Sequence, residues 1–383
     1  MMNKPSFHIF WLAGENSGDL HASLVMEALN KDLPNLRHSG IGGARMQAHG
    51  LKPLFPFQRF NVMGFSEVAG HLGFFLNVQR RIKAFLKAEK PDLAILVDYP
   101  GFNLRIARIA DDLRVPVLYF ICPQFWAWKH GRVRKLRENV RHVACILPFE
   151  KELLDIHNVG SSYVGHPIAE EISPELDRDG FAQFFGLDTD SRWLGFFPGS
   201  RDAEIQRMLP VYLEAARELV SLGFKILVSK ASTVSHQLFL DLLEKHGFEG
   251  LAVIDGYRHE MMKFCELLVC TSGTATLEAA FIGTPHLICY KTSRLSYLIG
   301  RRLVRIERIG LPNIILEQDL LPELVQNDCN AINIKRELLA LLDEPERAET
   351  MREKLITLRT SLSEPKTSRE MLRLVKQLLE RYA

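Results

Sequence analysis

Short, nearly unbroken apolar runs alternate with helix-like stretches along most of this chain, and that rhythm restricts its fold more than any other feature. In the first half the runs occupy residues 7–13, 92–98, 115–121 and 143–147, with helix-like segments at 19–32, 75–90, 103–113 and 132–139. In the second half they occupy 193–197, 225–229, 252–255, 267–271 and 286–290, again separated by helix-like segments. A strand that is apolar on both faces needs cover on both, and helices connecting parallel strands provide it. The expected fold is therefore α/β, with two doubly wound parallel-sheet domains at residues 1–168 and 180–345. The boundary falls between 164 and 192, where Gly165-His166-Pro167 leads into a polar, turn-rich stretch. After about Asp328 the strand signals stop, and charged helices fill a C-terminal tail, 346–383, suited to pack back across the first domain.

Length and composition bound the function. The 383 residues suffice for two ordinary cores, and a net charge of +2 argues against a general nucleic-acid binder. Positive charge is nevertheless concentrated locally: Lys129, Arg132, Arg134, Lys135, Arg137 and Arg141 crowd one segment, Arg301, Arg302, Arg305 and Arg308 another. These read either as solvated helix faces or as contacts for an anionic substrate or acidic lipid headgroups. No run of eighteen apolar residues is present and the first residues lack a signal-peptide pattern, so a cytoplasmic protein is expected. Six scattered cysteines, Cys122, Cys145, Cys265, Cys270, Cys289 and Cys329, form no C-x-x-C pair and read as reduced core residues.

The strand-to-helix turns carry the chemistry. In Leu268-Val269-Cys270-Thr271-Ser272-Gly273-Thr274-Ala275-Thr276-Leu277-Glu278, an apolar run breaks into small residues and resumes as a helix. That order sets free backbone N–H groups and a helix N-terminus where a diphosphate fits without a metal, with Glu278 one turn on. Ordinary N-capping by Ser272 or Thr274 is the alternative. A second loop of the same kind, Pro198-Gly199-Ser200-Arg201-Asp202, follows the run 193–197 and adds a guanidinium suited to phosphate oxygens. Together they favour a nucleotide-sugar site.

Ligands in open parallel sheets bind beyond the carboxyl ends of the strands, which draws attention to the first-half turns. Ala13-Gly14-Glu15-Asn16-Ser17-Gly18-Asp19 lacks the G-x-G-x-x-G spacing; a tight turn capped by Ser17 or Asp19 explains it in part and leaves Glu15 unexplained. Asp98, in Val97-Asp98-Tyr99-Pro100-Gly101-Phe102-Asn103, ends a strongly apolar strand, a natural setting for a raised pKa and a general base. The alternative is that Asp98 serves the Pro-Gly turn while Asn103 caps the next helix. His166 is a rival base, although its place before Pro167 at the inferred hinge suits a structural role. Ile121-Cys122-Pro123-Gln124-Phe125-Trp126-Ala127-Trp128-Lys129 offers aromatic rings for a sugar-binding surface or a core plug.

An apolar surface accompanies these loops. Phe55-Pro56-Phe57, Val62-Met63-Gly64-Phe65, Leu72 and the segment 74–78 adjoin Arg80, Arg81, Lys83 and Lys87. Phe75, Val78, Ile82 and Phe85 recur at helical spacing and read as a core face. Met63 and Phe65, with Phe74 and Leu76 off that stripe and Arg80 and Arg81 beside them, are candidates for contact with a membrane or acyl chains.

Eight segments in chain order carry a resemblance: 13–19, Asp98 to Asn103, Pro123 to Trp128, Leu147-Pro148-Phe149-Glu150, Gly165-His166-Pro167, Pro198-Gly199-Ser200-Arg201, Ser272 to Glu278, and Leu311-Pro312-Asn313. Their order resembles the motif set of the lipid-A-disaccharide synthases, with Asn16 and Gln124 departing from the usual pattern. The resemblance implies a GT-B fold, two Rossmann-like domains facing a cleft. It also implies an inverting glycosyltransferase that joins UDP-2,3-diacylglucosamine to 2,3-diacylglucosamine 1-phosphate, giving the β-1,6-linked disaccharide phosphate and UDP. In its terms Asp98 is the base and Arg201 the catalytic cation. Gly199, Ser200, Arg201, Ser272, Gly273, Thr274, Glu278 and Asn313 hold UDP, with Glu278 on the ribose. Glu15, Ser17 and Asn103 orient the acceptor or support the base. No acidic Asp-x-Asp motif is read as a metal holder, so no metal and no cofactor are expected. The implied setting is the cytoplasmic face of the inner membrane of lipopolysaccharide-making bacteria, peripheral and with homodimers formed through the C-terminal part. Alternatives are another GT-B UDP-N-acetylhexosamine enzyme, a peptidoglycan-precursor transferase or a 2-epimerase, and, from another class, a non-catalytic nucleotide-sugar or lipid-binding module.

Overall fold

A computed structural model describes residues 7–61, 72–126, 131–293, 297 and 308–382. Met63, Phe65, Trp128, Lys129, Arg301, Arg302 and Arg305 lie outside the described residues. The chain divides into two units, Met1–Pro167 with Leu362–Ala383, and Ile168–Ser361.

In the first unit seven strands form one parallel sheet: β1 (His8–Ala13), β2 (Arg37–Ile41), β3 (Leu51–Pro53), β4 (Leu93–Val97), β5 (Val117–Phe120), β6 (His142–Cys145) and β7 (Ser161–Tyr163). Their order is β3-β2-β1-β4-β5-β6-β7. In the second, β8 (Arg192–Phe197), β9 (Phe224–Lys230), β10 (Leu251–Asp255), β11 (Leu267–Thr271), β12 (His286–Tyr290) and β13 (Glu323–Val325) run in the order β10-β9-β8-β11-β12-β13, also parallel. Both are the doubly wound Rossmann order, and each places a topological switch point between its first and fourth strands.

The apolar runs became the central strands for the reason that made them conspicuous: every residue of β1, β4 and β11 is buried. Strands β2, β3, β7 and β13 carry no such signal because they are short or polar. In β2 the polar side chains are satisfied inside: Trp11 Nε1 donates to His38 Nδ1 at 3.0 Å, and His8 Nε2 lies 2.6 Å from Ser39 Oγ. Gly40, at φ +142°, is obligatory there, since a Cβ would fall 1.9 Å from the Trp11 carbonyl oxygen.

The last helix, Thr367–Tyr382, belongs to the first unit, whereas Pro345–Ser363 lies almost wholly in the second; the expected tail therefore divides. Met371, Val375 and Leu379 are buried, and Lys376 pairs with Asp32 of the helix Asn16–Asp32 at 2.7 Å. Gly165 sits beneath this connection at φ +79°, where a Cβ would lie 1.7 Å from the Pro365 carbonyl oxygen. Gly165→Ala is accordingly expected to cost about 2 kcal/mol or more, because strain and overlap add. A thermal melt unchanged from wild type would contradict this.

All six cysteines are free and buried. On the helix Leu72–Glu89, Phe75, Val78, Ile82 and Leu86 face the core. Phe74 departs from its expected exposure: it is partly buried, its ring 5.5 Å from Phe60 and 5.6 Å from Phe75 in an aromatic cluster that draws it inward. Leu76 stays 41% exposed beside the exposed Arg80, and Arg81 stacks over the Phe55 ring at 4.4 Å.

Candidate active site

The switch point of the first unit is flanked by the turns after β1 and β4. After β4 the chain enters two consecutive left-handed residues, Asp98 (φ 45°) and Tyr99 (φ 47°), before Pro100 opens the helix Pro100–Asp112. Such backbone is unfavourable for side-chain-bearing residues and persists only when its surroundings hold it. Here the Asp98 carbonyl accepts from Tyr119 Oη at 2.6 Å and Asn103 Nδ2 at 2.7 Å, while the Asp98 N–H donates to the Phe120 carbonyl at 2.9 Å. The Tyr99 ring packs against Gly14, where a Cβ would come within 2.7 Å of it, so the two turns are locked together.

This clamp aims the Asp98 side chain into a partly buried setting with several ionisable neighbours. Burial, and then the nearby Glu15 charge, pushes its carboxyl up to about 6; His21, the Tyr99 N–H and Arg132 oppose the rise. His166 is buried, and burial with the neighbouring His21 pushes it down to about 3, which leaves it neutral and a weak base. Two of the Asp98 neighbours stand out less in the sequence: His21 belongs to no motif there, and Arg132 is one member of a basic cluster. The first is one helical turn beyond Ser17, a spacing that signals a shared face, and the second is buried whereas Arg134, Lys135, Arg137 and Arg141 of the same basic cluster are exposed.

The other expected residues of this unit divide between surface and frame. Glu15 is the partly buried N-cap of the helix Asn16–Asp32, without a side-chain capping bond, and Ser17 is partly buried in its first turn. Asp19 does not cap its own turn. Its carboxylate accepts from the Gly43 and Met46 N–H groups at 2.7 and 3.1 Å, holding the loop after β2. Asn103 has no exposed surface, and its amide nitrogen bonds the carbonyls of Val97 and Asp98 at 3.0 and 2.7 Å. It does not cap its helix; it braces the turn under Asp98, in keeping with the expected support of the base. Glu150 is likewise buried, pushed up to about 8 by that burial, and accepts from Trp126 Nε1 at 3.2 Å, anchoring the aromatic loop.

The second switch point is flanked by the turns after β8 and β11. The helix Thr274–Ile282 begins with Gly273 as N-cap and has no side-chain capping bond, so capping by Ser272 or Thr274 is not realised. Among the described residues the Gly273 and Thr274 N–H groups have no partner, and a Cβ at Gly273 would enter open space. Ser272 differs from expectation: its N–H donates to the Cys289 carbonyl at 2.8 Å in the sheet, and its hydroxyl to the Ile309 carbonyl at 3.2 Å. The loop after β8 is filled from within. Glu204 Oε2 accepts from the Ser200 and Arg201 N–H groups at 2.9 and 3.3 Å, and Glu204 Oε1 lies 3.1 Å from Arg201 Nη1. The Ser200 and Arg201 N–H groups are therefore already taken in this arrangement, while the Arg201 side chain stays 62% exposed.

Glu278 is buried and held by the Arg258 fork, Nε to Oε2 at 2.7 Å and Nη2 to Oε1 at 3.1 Å, with His259 Nε2 at 3.5 Å. Despite burial, these partners keep its carboxyl below the ordinary value. Asn313 lies in the helix Leu311–Leu316, ahead of β13 and not after the last strand. It has no exposed surface; Nδ2 donates to the Leu321 carbonyl (2.8 Å) and Glu323 Oε1 (2.9 Å), and Oδ1 accepts from the Leu321 N–H (2.9 Å). With its amide fully engaged, Asn313 frames the loop and presents nothing to UDP. Asn313→Ala is expected to cost about 2–4 kcal/mol in stability, because buried partners lose their bonds. Unchanged melting with weakened UDP binding would instead make it a ligand.

Among the described residues no group of three or more His, Cys, Asp or Glu side chains is placed to hold a metal ion. The chain does contain Asp-x-Asp pairs, at 177–179 and 188–190, outside the strand-end loops. Asp177 caps the helix Arg178–Phe185, and Asp188 accepts from the Asp190 N–H and the Ser191 hydroxyl.

Residues 9–377 match the family model of lipid-A-disaccharide synthetase. The chain belongs to that family. The lipid-A-disaccharide synthase of Syntrophus aciditrophicus is 40% identical over 92% of this chain and 93% of its own, and that of Geobacter sulfurreducens 38% identical over 99% of each. The S. aureus MnaA structure with UDP superposes at a TM-score of 0.70 with 13% identity, over 98% of this chain and 97% of that one. The UDP-GlcNAc 2-epimerase of Neisseria meningitidis bound to UDP-GlcNAc superposes at 0.64 with 12% identity, over 98% and 99%. These two likenesses establish a shared GT-B fold. As a lipid-A-disaccharide synthase the protein is a glycosyltransferase, and the family implies a UDP-sugar donor and a sugar acceptor. No helix of the described residues is long and apolar enough to cross a membrane.

Proposed function

We propose that the protein transfers 2,3-diacylglucosamine from UDP-2,3-diacylglucosamine to 2,3-diacylglucosamine 1-phosphate with inversion. The observation that carries this reading is the pair of switch points: one holds a carboxylate raised to about 6, the other an uncapped helix start with an exposed guanidinium on the loop of the neighbouring strand. Asp98 takes the proton of the acceptor 6-hydroxyl as that oxygen attacks C1 of the donor sugar. The bond from C1 to the diphosphate oxygen breaks, the electron pair leaves with UDP, and C1 inverts. The departing charge meets the Gly273 and Thr274 N–H groups and Arg201, a preorganised set that needs no metal. Glu278, fixed by Arg258, bonds the ribose; Glu15 and Ser17 orient the acceptor. The acyl chains and a membrane's cytoplasmic surface meet the side of the first unit that carries Leu76, Arg80 and Arg81, where apolar and basic groups adjoin. The working form is a homodimer.

The test is to incubate the purified protein with both acylated substrates in mixed detergent micelles and to measure disaccharide and UDP. Stoichiometric formation of both is expected. Turnover of water-soluble UDP-GlcNAc without any disaccharide would replace this reading with a 2-epimerase-like one, and undiminished function in Asp98→Ala and Arg201→Ala variants without UDP release would indicate a binding module.

A further inference from the structure

The two loops that flank the second switch point look alike in sequence and differ in charge. The start of Thr274–Ile282 is bare, whereas the start of the helix Asp202–Val220 already carries an anion of its own, the Glu204 carboxylate. That carboxylate takes both nearby backbone N–H groups on Oε2 and the Arg201 guanidinium on Oε1. Gly199 makes the arrangement possible: at φ +120°, a Cβ there would lie 2.6 Å from Glu204 Oε2 and 2.7 Å from Glu204 Cβ. The loop is pinned from behind as well, by Thr233 Oγ1 donating to the Ser200 carbonyl at 2.6 Å and by the Ser235 N–H donating to Asp202 Oδ1 at 2.9 Å.

We propose that Glu204 is a positioning residue for the transfer: it aims the Arg201 guanidinium at the donor's diphosphate and assigns the backbone anion site to the other loop. The inference rests on reading Arg201 as a diphosphate contact. With the dipole of its own helix met by Glu204 and the Ser200 and Arg201 N–H groups taken, the helix start of the first loop is closed to a second anion, so the diphosphate sits on Gly273 and Thr274. The first loop then contributes chiefly the Arg201 side chain. An exposed arginine is mobile, and ordering it on binding costs free energy; a carboxylate that holds it beforehand removes part of that cost. Glu204 touches neither the reacting atoms nor the ligand in this scheme and acts through Arg201.

The discriminating substitution is Glu204→Gln. Its amide oxygen still accepts the two backbone N–H groups, so the helix start is kept and the thermal melt falls only slightly, through the charge lost at a helix N-terminus, but the guanidinium loses its anionic partner. Donor kcat/KM, measured with both acylated substrates in mixed micelles, is expected to fall about tenfold. In an Arg201→Ala background the same change should cost less than about twofold, since there is nothing left to position. A role confined to capping predicts wild-type kinetics for Glu204→Gln together with a lowered melt for Glu204→Ala. Wild-type kcat/KM in Glu204→Gln, or equal losses with and without Arg201, would overturn the inference while leaving Arg201's own role standing. If Arg201→Ala itself keeps wild-type kcat/KM, the reading of Arg201 fails and the inference falls with it.

Discussion

Replacing Asp98 with asparagine is expected to lower kcat by about 10²–10⁴-fold and, at neutral pH, to make the protein more stable than wild type. Both effects have one cause. The burial and the Glu15 charge that raise Asp98 to about 6 make it a base of useful strength, and they also make its ionised form unfavourable in the folded chain. The sign follows from linkage. The folded value lies above the ordinary 3.8, so between about 4 and 6 the folded state keeps a proton that the unfolded chain has released. The group's favourable contribution is complete below that window and diminishes as pH rises through it. A two-unit elevation is worth roughly 3 kcal/mol. An uncharged asparagine escapes the penalty, and a gain of about 1–3 kcal/mol at pH 7 is expected in thermal or denaturant unfolding. For the wild type, kcat/KM should rise with pH through about 6 and level off above it, while the asparagine variant's residual rate should lack that step. A variant that unfolds earlier than wild type, or keeps most of its turnover, would contradict the assignment.

The second large effect is expected at Gly273. The backbone there is extended, at φ 161°, and a Cβ would meet nothing within 4 Å, so the fold itself has no need of glycine. What needs the space is the ligand. Gly273→Asp places a good N-cap residue at an uncapped helix start and is expected to raise stability by about 1 kcal/mol. The new carboxylate would occupy the N–H groups proposed for the diphosphate and repel it. UDP affinity should weaken by about a hundredfold, equivalent to about 2.7 kcal/mol, with kcat/KM for the donor falling at least as far. Calorimetric titration with UDP beside a thermal melt reads both changes. Retained UDP affinity would place the diphosphate elsewhere.

The parts of this molecule that were legible in its sequence are those where one local pattern decides the outcome. Buried parallel strands announce themselves as apolar runs, and the ends of β4, β8 and β11 could be read directly. The short polar strands β2 and β7 could not; in β2 the polar groups are satisfied by partners such as Trp11 that lie far away in sequence. The same limit applied to the site. Asn103, expected to orient the acceptor or support the base, and Asn313, expected on UDP through the family motif, are both buried and bonded to backbone. Glu278 was visible, but its Arg258 partner comes from a different strand-end turn, and nothing in the local sequence links them. Glu204 was invisible as a competitor for the Ser200 and Arg201 N–H groups because an acidic residue in the first turn of a helix is unremarkable by itself.

The missing cap at Thr274–Ile282 also has a thermodynamic consequence. A helix start that no side chain completes leaves stability to be supplied by whatever binds there, and a ligand that binds only the folded state adds about 2.7 kcal/mol when present at a hundred times its dissociation constant. The melting of the second unit should then track nucleotide concentration while that of the first does not. A simple melting curve, recorded with and without UDP, becomes a label-free gauge of donor-site occupancy and a way to screen for molecules that compete for that helix.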